Sequence, residues 1–356
     1  MRVTVDCHMV GQPQAGDAGN ARFHTLLTNA LQQARGEDDS VGALIAHPGA
    51  RALLDPSIPM HDVPADNIAR LALRAPQALR INRADAAIFS YITPLRSPCP
   101  LLVVVHDVSF KLHPEWFSAR VRILLGTLVP RAIRQAARVI TVSQTSKADL
   151  VAALGVDPDR IRVVTNVPAP AFAPRPDAAA RVQAKFGLHR YCLYVGDVHP
   201  RKNLASLTQA VAQLDGANRL QLAIVGRAGH RGDQIIGASG ARRLGPLGDD
   251  DLADLYSAAA AVTCYPSLYE GFGLPVIEAM ACGSPVVASN RGAIPEVAGD
   301  AAILVEPTPA ALADGLRAAL EPATADRLRH LGPERARQFT PQAMGEAGWS
   351  AIREVV

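Results

Sequence analysis

Eleven short runs of aliphatic and β-branched residues recur along this chain, most of them followed by a segment of helical length. In the first half the runs fall at 3–5, 41–45, 86–89, 101–105, 139–142 and 161–164, with helical stretches at 22–34, 117–137 and 146–154. The runs are apolar throughout rather than alternating, which suits strands of a sheet covered on both faces. Repetition of strand, helix and strand in this way specifies a parallel sheet in an α/β domain. The pattern stops between 166 and 176, where Pro168, Pro170, Pro174 and Pro176 forbid a helix or a central strand. It restarts with runs at 191–195, 220–225, 260–264, 285–288 and 302–305 and helices at 204–214, 250–258 and 276–281. The expectation is an α/β protein with two doubly wound, Rossmann-like domains, residues 1–170 and 171–340. A helix over 341–356 follows, and local pattern does not say which domain it packs on. With 356 residues, each half is long enough to bury its own core.

Charge and cysteine usage narrow the function classes. The net charge is +3 and the basic residues are scattered, so nothing marks a nucleic-acid-binding arm. Cys7, Cys99, Cys192, Cys264 and Cys282 form no CxxC pair, and several sit in apolar runs, which reads as buried reduced thiols in a reducing compartment. The first six residues read as a strand rather than a leader, and no apolar run approaches the ~18 residues of a membrane span. The expected location is cytoplasmic, at most peripheral at the inner face of a membrane. Arg131, Arg134 and Arg138 fall on one face of the helix expected around 117–138, with Arg120 and Arg122 a few turns earlier. A solvated face explains such a stripe; docking on an anionic membrane is the functional alternative.

Open parallel sheets bind ligands at the carboxyl ends of their strands, so the residues that follow each run matter most. The strongest signal spans residues 266–283, Pro-Ser-Leu-Tyr-Glu-Gly-Phe-Gly-Leu-Pro-Val-Ile-Glu-Ala-Met-Ala-Cys-Gly. Glu270 follows an apolar run, and Glu278 lies one turn into a helix beginning near Pro275, a residue suited to the first helical position. Gly271 and Gly273 allow close approach of backbone to a ligand, and the helix start offers N–H groups to an anion such as a diphosphate. Glu278 has the chemistry to accept hydrogen bonds from vicinal hydroxyls. Isolated glutamates beside a helix start are more often caps or dipole partners; the whole constellation favours a ligand.

Three further segments follow strands. Gly196-Asp-Val-His-Pro-Arg201-Lys202-Asn opens a helix, and its two cations can grip phosphate oxygens, although a lone Arg-Lys pair is commonly an exposed turn. His106 ends the run at 101–105 and is either a cleft residue or a structural histidine bonded to backbone. The segment from Gly16 through Gly19, Asn20, Ala21 and Arg22 reads as a glycine-bearing turn for phosphate or acceptor, without the GxGxxG fingerprint of dinucleotide folds. Asp249, Asp250 and Asp251 precede an apolar-periodic helix and read as an N-cap rather than a metal site.

Taken together these segments resemble the retaining glycosyltransferases of family four, which have the GT-B fold of two Rossmann-like domains facing across a cleft. Residues 270–278 look like that family's pair of glutamates with seven residues between them. Residues 196–203, His106-Asp107, Val142-Ser143 and residues 290–297 look like further family elements. The resemblance implies that Arg201 and Lys202 bind the donor diphosphate and that Glu278 binds the ribose. Glu270, with Gly271, Phe272, Gly273 and Leu274, would hold the donor sugar, with Gly196 beside them. His106 would contact the sugar from the first domain, completing a catalytic set of His106, Arg201, Lys202 and Glu270. The implied reaction moves a hexose from a nucleotide-diphosphate sugar to a saccharide, lipid-linked or small-molecule hydroxyl, with retention, no cofactor and no required metal. One departure is Gly19-Asn20-Ala21-Arg22, where the family usually carries Gly-x-Gly-Arg. The run from His106 through His113-Pro114-Glu115-Trp116-Phe117 is most like bacterial polysaccharide mannosyltransferases, which favours GDP-mannose over UDP-sugars. An epimerase or phosphorylase of the same fold, and a non-catalytic nucleotide-sugar-binding subunit, are the alternatives. A nicotinamide oxidoreductase is disfavoured by the missing fingerprint.

Overall fold

The computed structural model describes residues 1–12, 18–227, 240–258 and 261–356. The chain divides into two compact units, Met1–Val167 with Thr340–Val356, and Pro168–Phe339. Each is built on one parallel sheet with helices against it.

The first unit contains β1 (Arg2–Cys7), β2 (Ser40–Ile45), β3 (Met60–Asp62), β4 (Ala86–Ser90), β5 (Leu101–Val104), β6 (Arg138–Thr141) and β7 (Ile161–Val163). Their order is β3-β2-β1-β4-β5-β6-β7, so the direction of winding reverses between β1 and β4. Val3 of β1 pairs with Val41 of β2 on one side and Ala86 of β4 on the other. The inner strands are buried along nearly their whole length, as continuous apolar runs require. Sequence pattern misses β3, whose Met-His-Asp is not apolar, because it lies at the sheet edge with a single pairing neighbour.

Among the described residues, six α-helices of this unit precede Val167. α1 (Ala18–Gln33) follows β1. α2 (Asn67–Ala69) runs through a π-helical turn (Arg70–Arg74) into α3 (Ala75–Ile81). α4 (Ser109–Leu112) and α5 (Ala119–Gln135) link β5 to β6, and α6 (Gln144–Leu154) follows β6. The expected helix over 117–138 ends sooner, at Gln135. Arg138 is the first residue of β6, and its Nε lies 2.8 Å from Glu354 Oε2, so it does not extend an arginine stripe on α5.

The second unit contains β8 (Tyr191–Val195), β9 (Gln221–Val225), β10 (Arg242–Gly245), β11 (Ala261–Tyr265), β12 (Val286–Ser289) and β13 (Ile303–Val305), in the order β10-β9-β8-β11-β12-β13. Winding reverses between β8 and β11, the two strands that the strongest sequence motifs follow. β10 is again a polar edge strand that pattern does not reveal. α7 (Ala178–Phe186), α8 (Leu204–Ala212), α9 (Asp249–Ser257), α10 (Leu274–Ala281), α11 (Ile294–Ala298), α12 (Pro309–Leu320) and α13 (Pro322–Ala336) complete the unit among the described residues.

The aspartates at 249–251 do not cap α9. Gly248 holds the N-cap position, and the three acids occupy the first turn. There they complement the helix dipole and meet neighbouring cations, with Asp250 2.6 Å from Arg175 and Asp251 2.6 Å from Lys185. The run expected at 260–264 begins among described residues at Ala261; Ala259 and Ala260 lie outside them.

The last helix, α14 (Pro341–Arg353), returns the chain to the first unit and packs on α1. Gly345 and Gly348 make this possible: a Cβ at Gly345 would lie 2.4 Å from the Ala30 carbonyl oxygen. Trp349 is fully buried there and donates from Nε1 to the Leu31 carbonyl at 2.9 Å.

Candidate active site

The carboxyl ends of β8 and β11 carry the second unit's polar cluster. After β8, Gly196 adopts φ +150, and the chain turns through a 3₁₀ segment (Pro200–Lys202) into α8. Asn203 begins α8 from a left-handed conformation and donates to the Pro266 and Pro307 carbonyls at 3.3 and 2.8 Å. After β11, Leu268 N–H donates to the Arg201 carbonyl at 2.7 Å, so backbone ties the two turns together. Glu270 comes next and is 6% exposed.

The structure brings Arg201, Lys202 and Glu270 into one contact. Lys202 Nζ lies 2.5 Å from Glu270 Oε1, and Arg201 Nη1 lies 3.1 Å from Oε2. The Tyr265 hydroxyl donates to Oε1 at 3.1 Å and accepts from Lys202 at 2.7 Å. Burial alone would push the Glu270 carboxyl up. Lys202 and then Arg201 outweigh burial and hold it at about 2, so it is ionised throughout the neutral range. The cations therefore do more than wait for an anion, since they neutralise a buried carboxylate and leave the trio with a single net positive charge. Arg201 keeps about a quarter of its side chain exposed, against 12% for Lys202.

Gly271, Phe272 and Gly273 carry the chain from Glu270 to α10. Gly273 holds the N-cap position with φ +106, Leu274 is the first helical residue, and Pro275 follows it. The Val276 N–H bonds the Gly273 carbonyl at 2.9 Å, tightening the first turn. A helix start leaves its leading amides without intrahelical acceptors, which is what an anion requires. Glu278 lies within α10 and is 3% exposed.

Two glycines hold this arrangement: Gly226 lies outside every segment singled out in the sequence, and Gly292 lies in the 290–297 segment but had no role assigned. Gly226, at the end of β9 with φ +134, approaches Gly196 so closely that a Cβ would meet its carbonyl oxygen at 2.2 Å. Gly292, with φ +56, lies against Glu270, where a Cβ would sit 2.6 Å from its carbonyl oxygen and 2.7 Å from its nitrogen. Ala293 N–H donates to that carbonyl at 3.0 Å. Arg227 adds a cation at the end of β9, paired with Asp197 at 2.9 Å. A glycine directly after an apolar strand, followed by arginine, was the available signal.

In the first unit, His106 follows β5 and its Nε2 lies 2.9 Å from Asn20 Oδ1. Ser90 Oγ donates to the same oxygen at 2.9 Å, and Asn20 Nδ2 faces Met9 Sδ at 3.5 Å. The imidazole packs edge-on to Phe23, with ring centroids 4.8 Å apart. Burial lowers its pKa to about 4, so it is neutral at physiological pH. His24 is buried nearby, with Nδ1 3.1 Å from the Asn20 carbonyl oxygen, and burial followed by the charge of His106 lowers it to about 4 as well. Asp6, the penultimate residue of β1, pairs with buried Arg70 and with His8 at 3.2 Å. Burial would raise this carboxyl, but His8 and Arg70 bring it down to about 2.

The segment Gly19, Asn20, Ala21 and Arg22 is not a loop. It forms the opening of α1, four residues earlier than the expected helix start. Ala18, Gly19, Asn20 and Ala21 include neither proline nor a β-branched residue, so the turn before Arg22 can wind. Gly16 and Asp17 of the same segment lie outside the described residues.

Comparison with known proteins adds to this geometry. Residues 24–167 match the sequence model of "Glycosyltransferase Family 4", and residues 189–322 match that of "Glycosyl transferases group 1". The chain belongs to the family-four, group-one glycosyltransferases. Among curated relatives of this glycosyltransferase chain is the O-antigen chain mannosyltransferase B of Escherichia coli. It is 36% identical over 216 residues, covering 57% of this chain and 56% of the relative. The MMP alpha-(1->4)-mannosyltransferase of Mycolicibacterium hassiacum is 34% identical over 216 residues, 56% of this chain and 50% of its own. The chain thus spans about half the length of these curated relatives. Solved structures share the GT-B fold. Sucrose-phosphate synthase of Thermosynechococcus elongatus has a TM-score of 0.75 at 21% identity, covering 99% of this chain and 98% of that one. Anabaena HepE, solved in complex with UDP and glucose, has a TM-score of 0.74 at 21% identity, covering 99% and 100%.

Proposed function

We propose that the protein transfers mannose from GDP-mannose to a saccharide or lipid-linked hydroxyl, retaining configuration at the anomeric carbon and requiring no metal. One observation carries the reading: two cations and the start of α10 adjoin a buried glutamate at the β8/β11 reversal, the position where such sheets take ligands. The mannosyltransferase names of both relatives favour mannose.

The costly event is cleavage of the bond between the anomeric carbon and the diphosphate. Negative charge accumulates on the departing phosphate as that bond stretches. Arg201, Lys202 and the leading amides of α10 then bind the transition state more strongly than the donor. One such charge-stabilising contact contributes roughly 3–4 kcal/mol. Glu270 holds the cations in place, and its ionised carboxylate accepts hydrogen bonds from sugar hydroxyls. Glu278 accepts from the ribose. His106, uncharged, offers a hydrogen bond to a substrate hydroxyl. The acceptor hydroxyl attacks from the side of the leaving group, and a phosphate oxygen takes its proton.

Proton NMR of a reaction supplied with GDP-mannose, UDP-glucose or UDP-galactose and a mannoside acceptor tests this. An α-linked product from GDP-mannose, formed equally in EDTA, is expected. Inverted product, loss of turnover in EDTA, or an isomerised donor without transfer would each refute a component of the proposal. The last would favour an epimerase.

A further inference from the structure

β1, β4 and β5 are neighbours at the reversal of the first unit's sheet, and one side chain ties their carboxyl ends together. Met9 comes soon after β1, Ser90 ends β4, and His106 follows β5. Asn20, in the first turn of α1 and 5% exposed, touches all three. Its backbone carbonyl also accepts from His24 Nδ1 at 3.1 Å, so main chain and side chain are both held. Aromatic rings fix the plane of His106. Phe23 meets it edge-on, and the Tyr91 ring centroid lies 5.9 Å away. Tyr91 follows β4 with φ +55, a left-handed conformation that bulky side chains rarely take. Such strain gathers where a side chain must be aimed.

With the ring plane fixed, hydrogen-bonding capacity decides where its proton sits. A thioether sulfur accepts and cannot donate. Met9 Sδ, at 3.5 Å, therefore takes the amide nitrogen of Asn20 and would oppose the amide oxygen. Ser90 Oγ both donates and accepts, so it fits either orientation. With Nδ2 at the sulfur, Asn20 Oδ1 faces His106 Nε2 and Ser90 Oγ, each at 2.9 Å. An amide oxygen only accepts, so the single proton of the neutral imidazole lies on Nε2. Nδ1 keeps its lone pair. It has no hydrogen-bond partner among the described residues, and His106 is half-buried rather than sealed.

We propose that Asn20 is a positioning residue for sugar transfer: oriented by Met9, it holds His106 as the Nε2–H tautomer, so that Nδ1 accepts a hydrogen bond from a sugar hydroxyl. This task differs from the phosphate or acceptor contact expected of its segment, because Asn20 acts through another residue. The tautomer matters to the chemistry. A hydroxyl that donates gains electron density at its oxygen, which favours a sugar ring turning positive as its bond to the diphosphate breaks. An N–H aimed at the same oxygen would do the reverse. The inference rests on the reading of His106 as a substrate contact, whereas the tautomer itself is independent of the donor.

Imidazole nitrogen NMR of the isotopically labelled full chain reads the tautomer, with the His106 signals identified by their absence from His106→Gln. Nε2 should carry the proton and Nδ1 none, and saturating GDP-mannose should move the Nδ1 resonance. Two substitutions then separate positioning from packing. Met9→Glu keeps an acceptor beside the amide and should keep the tautomer. Met9→Lys can only donate, so it should turn the Asn20 amide over and shift the proton to Nδ1. Its kcat should fall about tenfold, equivalent to one hydrogen bond, with donor KM little changed, and Met9→Glu should lose much less. Asn20→Leu should lower kcat as far as Met9→Lys. A purely structural contact would treat the two Met9 variants alike. A proton on Nδ1 in the wild type, equal kcat in folded Met9→Glu and Met9→Lys, or an Nδ1 resonance unmoved by GDP-mannose that calorimetry shows to be bound would overturn the proposal. A wild type that transfers no sugar refutes the functional reading instead, and its ligand-free spectrum still decides the tautomer.

Discussion

Replacing Lys202 by methionine separates what the cation does for the fold from what it does for chemistry. The change keeps the length of the side chain but removes the ammonium 2.5 Å from Glu270 Oε1 and 2.7 Å from the Tyr265 hydroxyl. Glu270 stays buried, with Arg201 at 3.1 Å. Deleting one member of a buried ion pair costs about 3–5 kcal/mol. The gap between 4.5 and about 2 for the Glu270 carboxyl corresponds to roughly 3 kcal/mol, which points to the lower end of that range. In a unit of this size each kcal/mol moves the melting midpoint by roughly 2–4 °C, so a fall of about 6–12 °C is expected. Adding Glu270→Gln removes the stranded charge and should restore most of that loss. Turnover should follow another course: a drop of roughly 10²–10³ in the single variant, not recovered in the double. Calorimetric melting and donor turnover, measured on both singles and the double, provide the check. An unchanged midpoint for Lys202→Met would refute the ion-pair account. Recovery of turnover together with stability would show that the cluster serves the fold alone.

Three further outcomes follow from the same geometry. Gly292→Ala forces a Cβ at positive φ into the Glu270 backbone, and it should cost at least about 1 kcal/mol in urea unfolding and weaken donor binding; an unchanged midpoint contradicts this. His24 is neutral when folded, with its pKa lowered from 6.5 to about 4, so its contribution is complete above about pH 6.5 and is lost as pH falls towards 4, by roughly 3 kcal/mol at most. Asp6 and Glu270, held down at about 2, keep their contributions until pH falls below their unfolded values. His106, likewise lowered from 6.5 to about 4, loses its contribution over the same range, so urea midpoints should decline between pH 6.5 and 4 in the wild type and by roughly half as much in His24→Leu; a flat wild-type profile contradicts the assignment. Gly345→Val places a side chain against the Ala30 carbonyl and should detach α14, seen as rapid proteolysis near residue 340; equal resistance would show that the contact is dispensable.

Central strands were legible in the sequence because burial on both faces demands unbroken apolar runs, as in residues 86–89 and 191–195. β3 and β10 were not, because an edge strand needs backbone pairing on one side only and tolerates Met-His-Asp or Arg-Arg-Leu-Gly. The start of α1 was placed four residues late because Gly19 and Asn20 look like turn residues, yet nothing in them prevents a helical turn. At the site, glycine, proline and glutamate after a strand announced the 270–278 segment, and Arg201 and Lys202 stood out by position. Their pairing with Glu270 did not, because it joins residues 68 and 69 apart and depends on how two strand ends meet. The roles of Gly226 and Gly292, the latter within the 290–297 segment, were hidden for the same reason: what excludes their Cβ atoms is backbone from another turn.

Titration calorimetry with GDP, GDP-mannose and UDP, on the wild type and on Arg201→Met, bears most directly on the second unit as a diphosphate-sugar receptor. Saturable one-to-one binding of GDP-mannose, at least tenfold weaker in the variant, is the result this account requires. Equal affinity in both proteins, or no heat with any nucleotide, would contradict it.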